Sequence, residues 1–217
     1  MITATGAIER PLSFAGNDIP GVMLAGAVRD YLVNWGVSIG DRTVLVTNND
    51  NAYLTAISLK HAGLDVPAIL DTRVLARDSE LVAQARALGI RILMGHAVSS
   101  VKGTKRVTGV AICSQAGEGA VLEEIACDAV AMSGGWSPVV HLWSHCGGKL
   151  RWDTRLACFS PDVDNPPKGA DGMGFVTTAG AASGMFPLDD VLHDSCDRRV
   201  DGEHGQWMVS EKLCDFE

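Results

Sequence analysis

The chain has 217 residues, of which 47% are hydrophobic and 20% charged, and its formal net charge is −8. This composition is sufficient for a buried core in one large or two small domains and argues against wholesale disorder. The acidic balance, with no basic cluster longer than Arg198 and Arg199, argues against nucleic-acid binding, and no apolar run approaches the roughly 20 residues of a membrane span. We therefore expect a cytoplasmic protein without nucleic-acid or membrane partners.

The six cysteines are scattered, and none forms a Cys-x-x-Cys pair. This spacing argues against a redox dithiol and a zinc ribbon, so we expect buried or incidental thiols. His141 and His145 are four residues apart and could share one face of a helix, as metal ligands do. Beyond Cys146, no acidic or cysteine partner completes a ligand set at a usual spacing, and we predict no metal site.

Apolar runs and helical periods alternate along the first 94 residues and predict strands and helices in turn. The expected elements are a strand tail over 2–6, a helix over 23–35, a strand over 43–46, a helix around 54–59, a strand over 66–70, a helix over 78–88 and a strand over 91–94. Gly36 is placed to end the first helix. The strand–helix–strand segment between residues 43 and 71 is a βαβ unit, which is typical of a parallel sheet.

The pattern then changes to short strands separated by glycine-containing turns, which predicts an antiparallel meander. The later elements expected are strands over 97–101, 106–113, 120–126 and 129–132, a loop over 162–172, a strand over 174–178 and a short helix around 188–193. Residues 196–217 show no consistent period. The alternation of strands and helices with an inserted meander indicates an α/β nucleotide-binding domain.

The turn after the first strand of the βαβ unit lacks the glycines of a dinucleotide-binding motif. A G-x-G-x-x-G/A register places Thr47 and Asn49 on the first two glycine positions, and only Ala52 fits the third. Asn49 would bring a side chain into the space of a pyrophosphate, and Asp50 would add negative charge there unless it is compensated. Asp50 or Asn51 is expected instead to cap the following helix.

Asp71 follows the second strand of this unit, about where an acid meets a ribose hydroxyl in dinucleotide sites. Its carboxylate could accept that hydrogen bond, or the residue could simply end a strand at the solvent. The residue pattern leaves both interpretations open.

Several motifs together resemble one family, the α subunits of heterotetrameric sarcosine oxidases, which belong to the flavoproteins with two dinucleotide-binding domains. The motifs that carry the resemblance are Ala4-Thr5-Gly6, Glu9-Arg10-Pro11, Pro20-Gly21-Val22-Met23, Thr47-Asn48-Asn49-Asp50, Met132-Ser133-Gly134-Gly135-Trp136-Ser137-Pro138 and Gly147-Gly148-Lys149-Leu150-Arg151-Trp152-Asp153. The resemblance extends over roughly residues 3 to 195. It is more specific than any single glycine motif.

The resemblance implies a Rossmann-like FAD/NAD(P)-binding fold of the α/β class, with three layers and an antiparallel β-meander insertion. It implies that residues 1–37 and 134–195 are parts of an outer FAD/NAD-binding-type domain, that residues 38–133 form an inserted NAD(P)-binding-type domain, and that residues 196–217 are an irregular tail. The outer phosphate loop and a folate-binding domain of the family have no counterpart in the sequence, so we expect an internal fragment.

The function implied by the resemblance is that of a supporting subunit. It would belong to a flavoenzyme complex that oxidises a secondary amine, N-methylglycine, and its partner would be a flavin-bearing β subunit. The full-length subunit would hold NAD or FAD, although the lost glycines argue against binding by this chain itself. Two alternatives stay open: an NAD(P)H-dependent flavin oxidoreductase of the pyridine nucleotide-disulfide reductase type, and a non-catalytic Rossmann interaction scaffold.

The candidate cofactor contacts come from the motifs that flank the predicted strands. They are Ala4, Thr5, Gly6, Thr47, Asn48, Asn49, Asp71, Gly134, Gly180 and Ala181. In the family a Gly-Asp pair often occupies the position of Gly180 and Ala181, so an acid that faces the cofactor is missing here. No nucleophile–base pair, carboxylate pair or redox dithiol emerges, and we predict no catalytic residue and little catalysis by the isolated chain.

Overall fold

The computed structural model describes residues 1–75, 79–115, 119–186 and 190–192. Within these residues the chain forms two compact units. The larger unit comprises residues 9–135, and the smaller unit comprises residues 1–8 together with the described residues from 136 onwards. The predicted irregular tail over 196–217 and part of the predicted helix over 188–193 lie outside the described residues.

The elements of the described residues are numbered in chain order. The strands are β1 (Ile2–Thr3), β2 (Ala7–Glu9), β3 (Val22–Leu24), β4 (Thr43–Thr47), β5 (Ile69–Asp71), β6 (Ile92–Met94), β7 (His96–Gly103), β8 (Val107–Ser114), β9 (Val121–Ala126), β10 (Ala129–Ser133), β11 (Trp136–Pro138), β12 (Leu150–Asp153), β13 (Cys158–Pro161) and β14 (Thr177–Thr178). The helices are α1 (Ala25–Trp35), α2 (Asn51–His61), α3 (Glu80–Ala87) and α4 (His141–His145), with a 3₁₀ turn over Gly180–Ser183.

The larger unit is built on a five-stranded parallel sheet in the order β3-β10-β4-β5-β6. Its central strands β4 and β10 are buried at every residue, as expected for a sheet covered on both faces. Successive side chains of β4 alternate between these faces: Leu45 belongs to one core cluster, and Val44 and Val46 belong to the other. Register is therefore fixed by burial on both sides.

Helices α1, α2 and α3 cover one face of this sheet. Tyr53 and Leu59 of α2 are fully buried and share a core with Leu45 and Ile69 of the sheet and Val28 of α1. Each large apolar side chain buried in this way contributes roughly 1.5–3 kcal/mol relative to an exposed position. Gly36 ends α1 with a positive φ of 65°, as its position after the apolar period predicts.

The antiparallel meander β7-β8-β9 covers the opposite face. Val110 and Ile112 of β8 are buried with Val44 and Val46 of the parallel sheet. Helices, parallel sheet and meander thus form three layers. The predicted α/β, three-layer Rossmann-like fold with a meander insertion is confirmed.

The smaller unit consists of three strand pairs with short connections. β1 and β14 pair in parallel, β2 pairs with β11, and β12 and β13 form an antiparallel hairpin. On the hairpin, the rings of Trp152 and Phe159 meet edge to face at 5.0 Å, and both side chains are about half exposed. Trp143 of α4 is buried and donates a hydrogen bond from Nε1 to the Lys149 carbonyl at 2.7 Å.

Several sequence-based boundaries differ from the structure; the strand expected over 66–70, for example, is Ile69–Asp71. The helix expected over 23–35 begins at Ala25, because Val22–Leu24 pairs with β10 instead. The final strand expected over 174–178 is limited to Thr177–Thr178, and the segment between residues 136 and 162, for which the sequence predicted no element, contains α4 and the β12–β13 hairpin. A short apolar run is compatible with the period of a helix and with that of a strand, so pairing with a distant strand decides which of the two forms.

The compact units also differ from the predicted domain division in where they begin. The larger unit starts at Glu9, whereas the inserted domain was expected to start at residue 38. The difference arises because β3 and α1 are bonded to the parallel sheet and its helical core. The division into outer and inserted domains stays a prediction.

Candidate functional site

Three strands of the larger unit end side by side. Thr47 of β4 lies in register with Ser133 of β10 on one side and with Asp71 of β5 on the other. The carboxyl edge of a parallel sheet is where α/β proteins of this kind bind their ligands. The structure therefore brings five candidate residues to one edge: Thr47, Asn48, Asn49, Asp71 and Gly134.

The glycine-free turn after β4 is held by its own side chains. The Thr47 hydroxyl accepts the Asn49 backbone N–H at 3.0 Å and lies 3.0 Å from the Asn49 carbonyl, to which it donates. Asn49 Nδ2 donates to Ser133 Oγ at 3.0 Å, and Asn48 Nδ2 donates to the Gly134 carbonyl at 3.2 Å. These amides fasten the turn to the end of β10.

Gly134 and Gly135 leave room for the segment that precedes β3. A Cβ atom on Gly134 would lie 2.9 Å from the Pro11 carbonyl oxygen, and one on Gly135 would lie 2.8 Å from Arg10 Nη2. The backbone N–H of Gly134 donates to the Arg10 carbonyl at 2.7 Å, and the backbone N–H of Arg10 donates to the Gly135 carbonyl at 2.8 Å. Gly134 is explained by this approach of the protein's own backbone, and Gly135 by its positive φ of 89°.

Asp71 has no exposed side-chain surface, so the interpretation that it ends a strand at the solvent is wrong. Its carboxylate accepts hydrogen bonds from the Tyr53 hydroxyl at 2.8 Å and from Arg73 Nη2 at 2.6 Å and Nε at 2.9 Å. Burial and the hydrogen bond to Asp71 raise the pKa of the Tyr53 hydroxyl well above its ordinary value. The hydrogen bonds to Asp71 and Asp50 raise the pKa of the Arg73 guanidinium.

Asp50 does not cap α2 with its side chain, contrary to expectation. Its backbone already has helical angles, and no side-chain cap hydrogen bond is formed. The carboxylate instead accepts a hydrogen bond from Arg73 Nη2 at 2.6 Å. The competing partner explains the error, because Arg73 offers the Asp50 carboxylate a full positive charge, whereas the helix N-terminus offers only the partial charges of backbone N–H groups.

Sequence reasoning missed Tyr53, Arg73 and Arg10 as residues of this edge. Tyr53 fits the apolar period of α2, and Arg73 lies two residues beyond Asp71 on a connection. The signal that was present is the spacing Asp-Thr-Arg, which allows an arginine to fold back on a carboxylate. Spacing alone does not give the direction of that side chain.

The residues at this edge do not fit a dinucleotide pyrophosphate. Asn49 places an amide at the second glycine position, and two carboxylates, those of Asp50 and Asp71, share the guanidinium of Arg73. A phosphate needs free backbone N–H groups and a positive or neutral environment. The Asp71 carboxylate, which a ribose hydroxyl would need to reach, is buried and bonded within the protein.

The other five candidate residues lie at the carboxyl ends of β1 and β14 in the smaller unit. Ala4, Thr5 and Gly6 follow β1, and Gly180 and Ala181 follow β14. Gly6 and Gly180 have positive φ values of 74° and 64°. The Thr5 hydroxyl donates to the Val139 carbonyl at 2.7 Å, and the Val139 N–H donates to the Gly6 carbonyl.

The metal-ligand candidates His141 and His145 lie on α4, as their spacing suggests. No cluster of three potential ligands occurs within the described residues. The four cysteines that the structure describes are free thiols: Cys113, Cys127 and Cys158 are buried and Cys146 is partly exposed, which confirms that part of the prediction. None of the helices described is both long enough and apolar enough to cross a membrane.

A parallel sheet with helices on one face and an antiparallel meander on the other places the larger unit in the class of Rossmann-like α/β folds. Among solved structures, thioredoxin reductase from T. acidophilum superposes with a TM-score of 0.66 at 20% identity, over 92% of this chain and 63% of that one. At this identity the likeness shows the fold alone. No protein-family model matches the chain.

The particular relatives are sarcosine oxidase α subunits. The chain is 39% identical to "Sarcosine oxidase subunit alpha" of Corynebacterium sp. (strain P-1) over 196 residues, which are 88% of this chain and 19% of the relative. It is 42% identical to the protein of the same name from Rhizobium meliloti (strain 1021) over 158 residues, or 73% of this chain and 15% of the relative. The chain is therefore a homologue of these oxidoreductase subunits over most of its own length, and it spans less than a fifth of theirs.

Proposed function

We propose that this chain is a supporting part of the α subunit of a sarcosine-oxidase-like flavoenzyme complex. The observation that carries the proposal is its 39% identity to a sarcosine oxidase α subunit across 88% of its residues. The complex would oxidise a secondary amine, N-methylglycine, and the flavin at which oxidation occurs would lie in a β subunit. FAD or NAD bound by the α subunit would supply redox or structural chemistry there, without a reaction step assigned to this chain.

The hydrogen bonds and ion pairs at the carboxyl edge favour a structural role for the larger unit over a catalytic one. At the carboxyl edge of the larger unit, the carboxylates of Asp50 and Asp71 are paired with Arg73, and the amides of Asn48 and Asn49 bond to β10. These contacts hold the turn against β10 and the start of α2, which is a structural role. We therefore assign the larger unit the task of shaping the subunit.

The smaller unit is the better candidate for cofactor contacts in the longer subunit. Its paired parallel strands β1 and β14 end in two turns, Ala4-Thr5-Gly6 and Gly180-Ala181. Both glycines adopt positive φ, which brings backbone close to whatever lies at this edge without a side chain between. Ala181, which has no carboxylate, follows Gly180, so recognition there would rest on backbone groups and on the Thr5 hydroxyl oxygen, whose proton is donated to the Val139 carbonyl.

Co-expression with a candidate flavin-bearing subunit tests the proposal. The chain should co-purify with that subunit, and the complex should oxidise N-methylglycine, whereas the chain alone should not. Nucleotide released from the denatured complex identifies any bound cofactor by mass. Failure of the two chains to assemble with any sarcosine-oxidase-type partner would remove the basis of the proposal.

Two alternative functions give different results in the same preparation. A flavin reductase, the first alternative left open by the sequence, predicts NADH-driven reduction of added flavin by the isolated chain. The turn after β4, whose Asn48 and Asn49 amides are hydrogen-bonded to β10 and Gly134, favours a non-catalytic scaffold. A scaffold of this kind should assemble with a partner, and no nucleotide should be released from the complex. The supporting-subunit proposal predicts assembly with a nucleotide present and no NADH oxidation.

A further inference from the structure

The glycine-free turn of the larger unit carries two side chains, those of Asn49 and Asp50, where a pyrophosphate would approach. In a working motif the second glycine has no side chain, and the helix N-terminus faces the phosphate. Here Asn49 stands at the second glycine position and Asp50 immediately precedes α2. Both side chains are held in these positions by hydrogen bonds to neighbouring residues.

Asn49 is held by a hydrogen-bond network that crosses to the neighbouring strand. Its Nδ2 donates to Ser133 Oγ at 3.0 Å and to Asn48 Oδ1 at 3.2 Å, while its backbone N–H donates to the Thr47 hydroxyl. Its Oδ1 is buried and has no hydrogen-bond partner among the described residues. The amide is thus fixed inside the turn even though half of its polar capacity is unsatisfied.

Asp50 is held by an ion pair with Arg73, whose guanidinium is itself held in place. Arg73 contacts Asp50 through Nη2, and the same guanidinium is fixed by two further bonds to the buried Asp71. Tyr53 completes the arrangement by donating to Asp71 from a fully buried position. The carboxylate of Asp50 is only 32% exposed, and it occupies the anionic position next to α2.

We infer that Asn49 and Asp50 take the place of a dinucleotide pyrophosphate, so that the larger unit has a sealed edge and binds no dinucleotide there. The sealing groups are the Asn49 amide, bonded to Ser133, and the Asp50 carboxylate, bonded to Arg73. The charge of Arg73, one of the arginines at this edge, is neutralised by the protein's own carboxylates. The inference concerns the larger unit alone and stands independently of the partner or substrate assigned under the proposed function.

NADH titration of the full chain and of an opened variant tests this inference. The opened variant is Asn49→Gly with Asp50→Ala, which restores the second glycine and removes the anion. Asp164→Ala with Asn165→Gly is the matched control, because it removes the same chemical groups from an exposed loop of the smaller unit. The two double variants carry equal net charge, so a general attraction of NADH cancels between them.

The expected result is that the opened variant binds NADH at least about tenfold more tightly than the wild-type chain, measured by fluorescence titration up to about 1 mM. The control should match wild type. Equal affinity in the opened variant and wild type, or tighter binding by wild type, would overturn the inference. Because assembly with a partner is not measured, this outcome is separable from failure of the proposed function.

A second variant guards against loss of the fold. Asp50→Asn preserves shape while it removes the charge, and we expect it to gain a smaller part of the NADH affinity. Circular dichroism melting of each variant shows whether it is folded. A folded Asp50→Asn chain whose NADH affinity does not rise above wild type would also contradict the inference, because the carboxylate would then not be what excludes the ligand.

Discussion

At the scale of single residues, Asp71 carries the most interactions at the candidate edge. It is a buried carboxylate that is bonded to a phenol and a guanidinium, whereas Asp65 makes ion pairs at the surface with Arg42 and Lys60 at 3.5 and 3.8 Å. Removing one member of a buried pair leaves the other charge desolvated and uncompensated. Surface pairs contribute little because water replaces them.

We expect Asp71→Asn to lower the free energy of unfolding by about 3 kcal/mol, since Arg73 would lose its main anionic partner. The matched change Asp65→Asn should lower it by no more than about 0.5 kcal/mol. Urea denaturation followed by circular dichroism measures both values. Similar losses in the two variants would show that Asp71 and Arg73 do not act as a buried pair.

At the scale of elements, most of the larger unit was predictable from the sequence. The strands β4 and β10 are continuous apolar runs, and the β7-β8-β9 meander is punctuated by turn residues, so both follow from local pattern. The strand β3 was not predictable, because it exists only through pairing with β10 more than a hundred residues later. The local pattern of apolar residues contains no information about a partner that is so distant in sequence.

The candidate edge was predictable only in part. The positions of Thr47, Asn49 and Asp71 at strand ends followed from the βαβ pattern. The directions of Asp50 and Arg73 did not, because a helix cap and an ion pair compete for the same carboxylate and their outcome depends on three-dimensional placement. Residues whose partners are distant in sequence were therefore the ones that prediction missed.

The hairpin between β7 and β8 offers an element-scale prediction at Gly103. Its φ is 122°, and an added Cβ would lie 2.0 Å from the Arg106 carbonyl oxygen. Gly36, which ends α1 with a φ of 65°, has nothing within 4 Å of an added Cβ. We expect Gly103→Ala to cost about 3 kcal/mol of stability, because the backbone must shift, and Gly36→Ala about 1 kcal/mol.

Thermal or urea unfolding of the two glycine variants distinguishes the cost of a positive φ on alanine from the cost of a steric clash between the new Cβ and the backbone. Both substitutions impose a left-handed or neighbouring conformation on alanine, but only Gly103→Ala adds a backbone clash. Equal destabilisation would mean that the hairpin accommodates the methyl group by a small movement of Arg106.

At the scale of the whole molecule, the reactivity of the cysteine thiols reports how deeply each side chain is buried in the two units. Cys113 and Cys127 lie in the larger unit, Cys158 and Cys146 lie in the smaller unit, and only Cys146 of these four is partly exposed. Burial, followed by the nearby Asp128 charge, raises the pKa of Cys127 to about 11. Since the thiolate is the reactive form, a raised pKa keeps Cys127 protonated and slow to react below that pH.

We expect iodoacetamide to label Cys146 at least about tenfold faster than Cys113, Cys127 or Cys158 in the native chain. Peptide mapping by mass spectrometry resolves the four sites, and urea should equalise their rates. For Cys127 the slow labelling should persist as the pH rises from 7 to 9, because its pKa lies above that range. Rapid native labelling of Cys127 would place it outside the core between the sheet and the meander.

The position of β10 between β3 and β4 has a consequence for how the chain is synthesised. β10 is an inner strand of the sheet and the last of its five strands to be translated, so β3 and β4 leave the ribosome with no strand between them. Until Ser133 emerges, the edge of β4 that pairs with β10 has no partner, and β3 has no strand beside it. Such non-local pairing slows folding and prolongs exposure of apolar strands. Chaperone demand should accordingly fall sharply once residues 129–133 have been made.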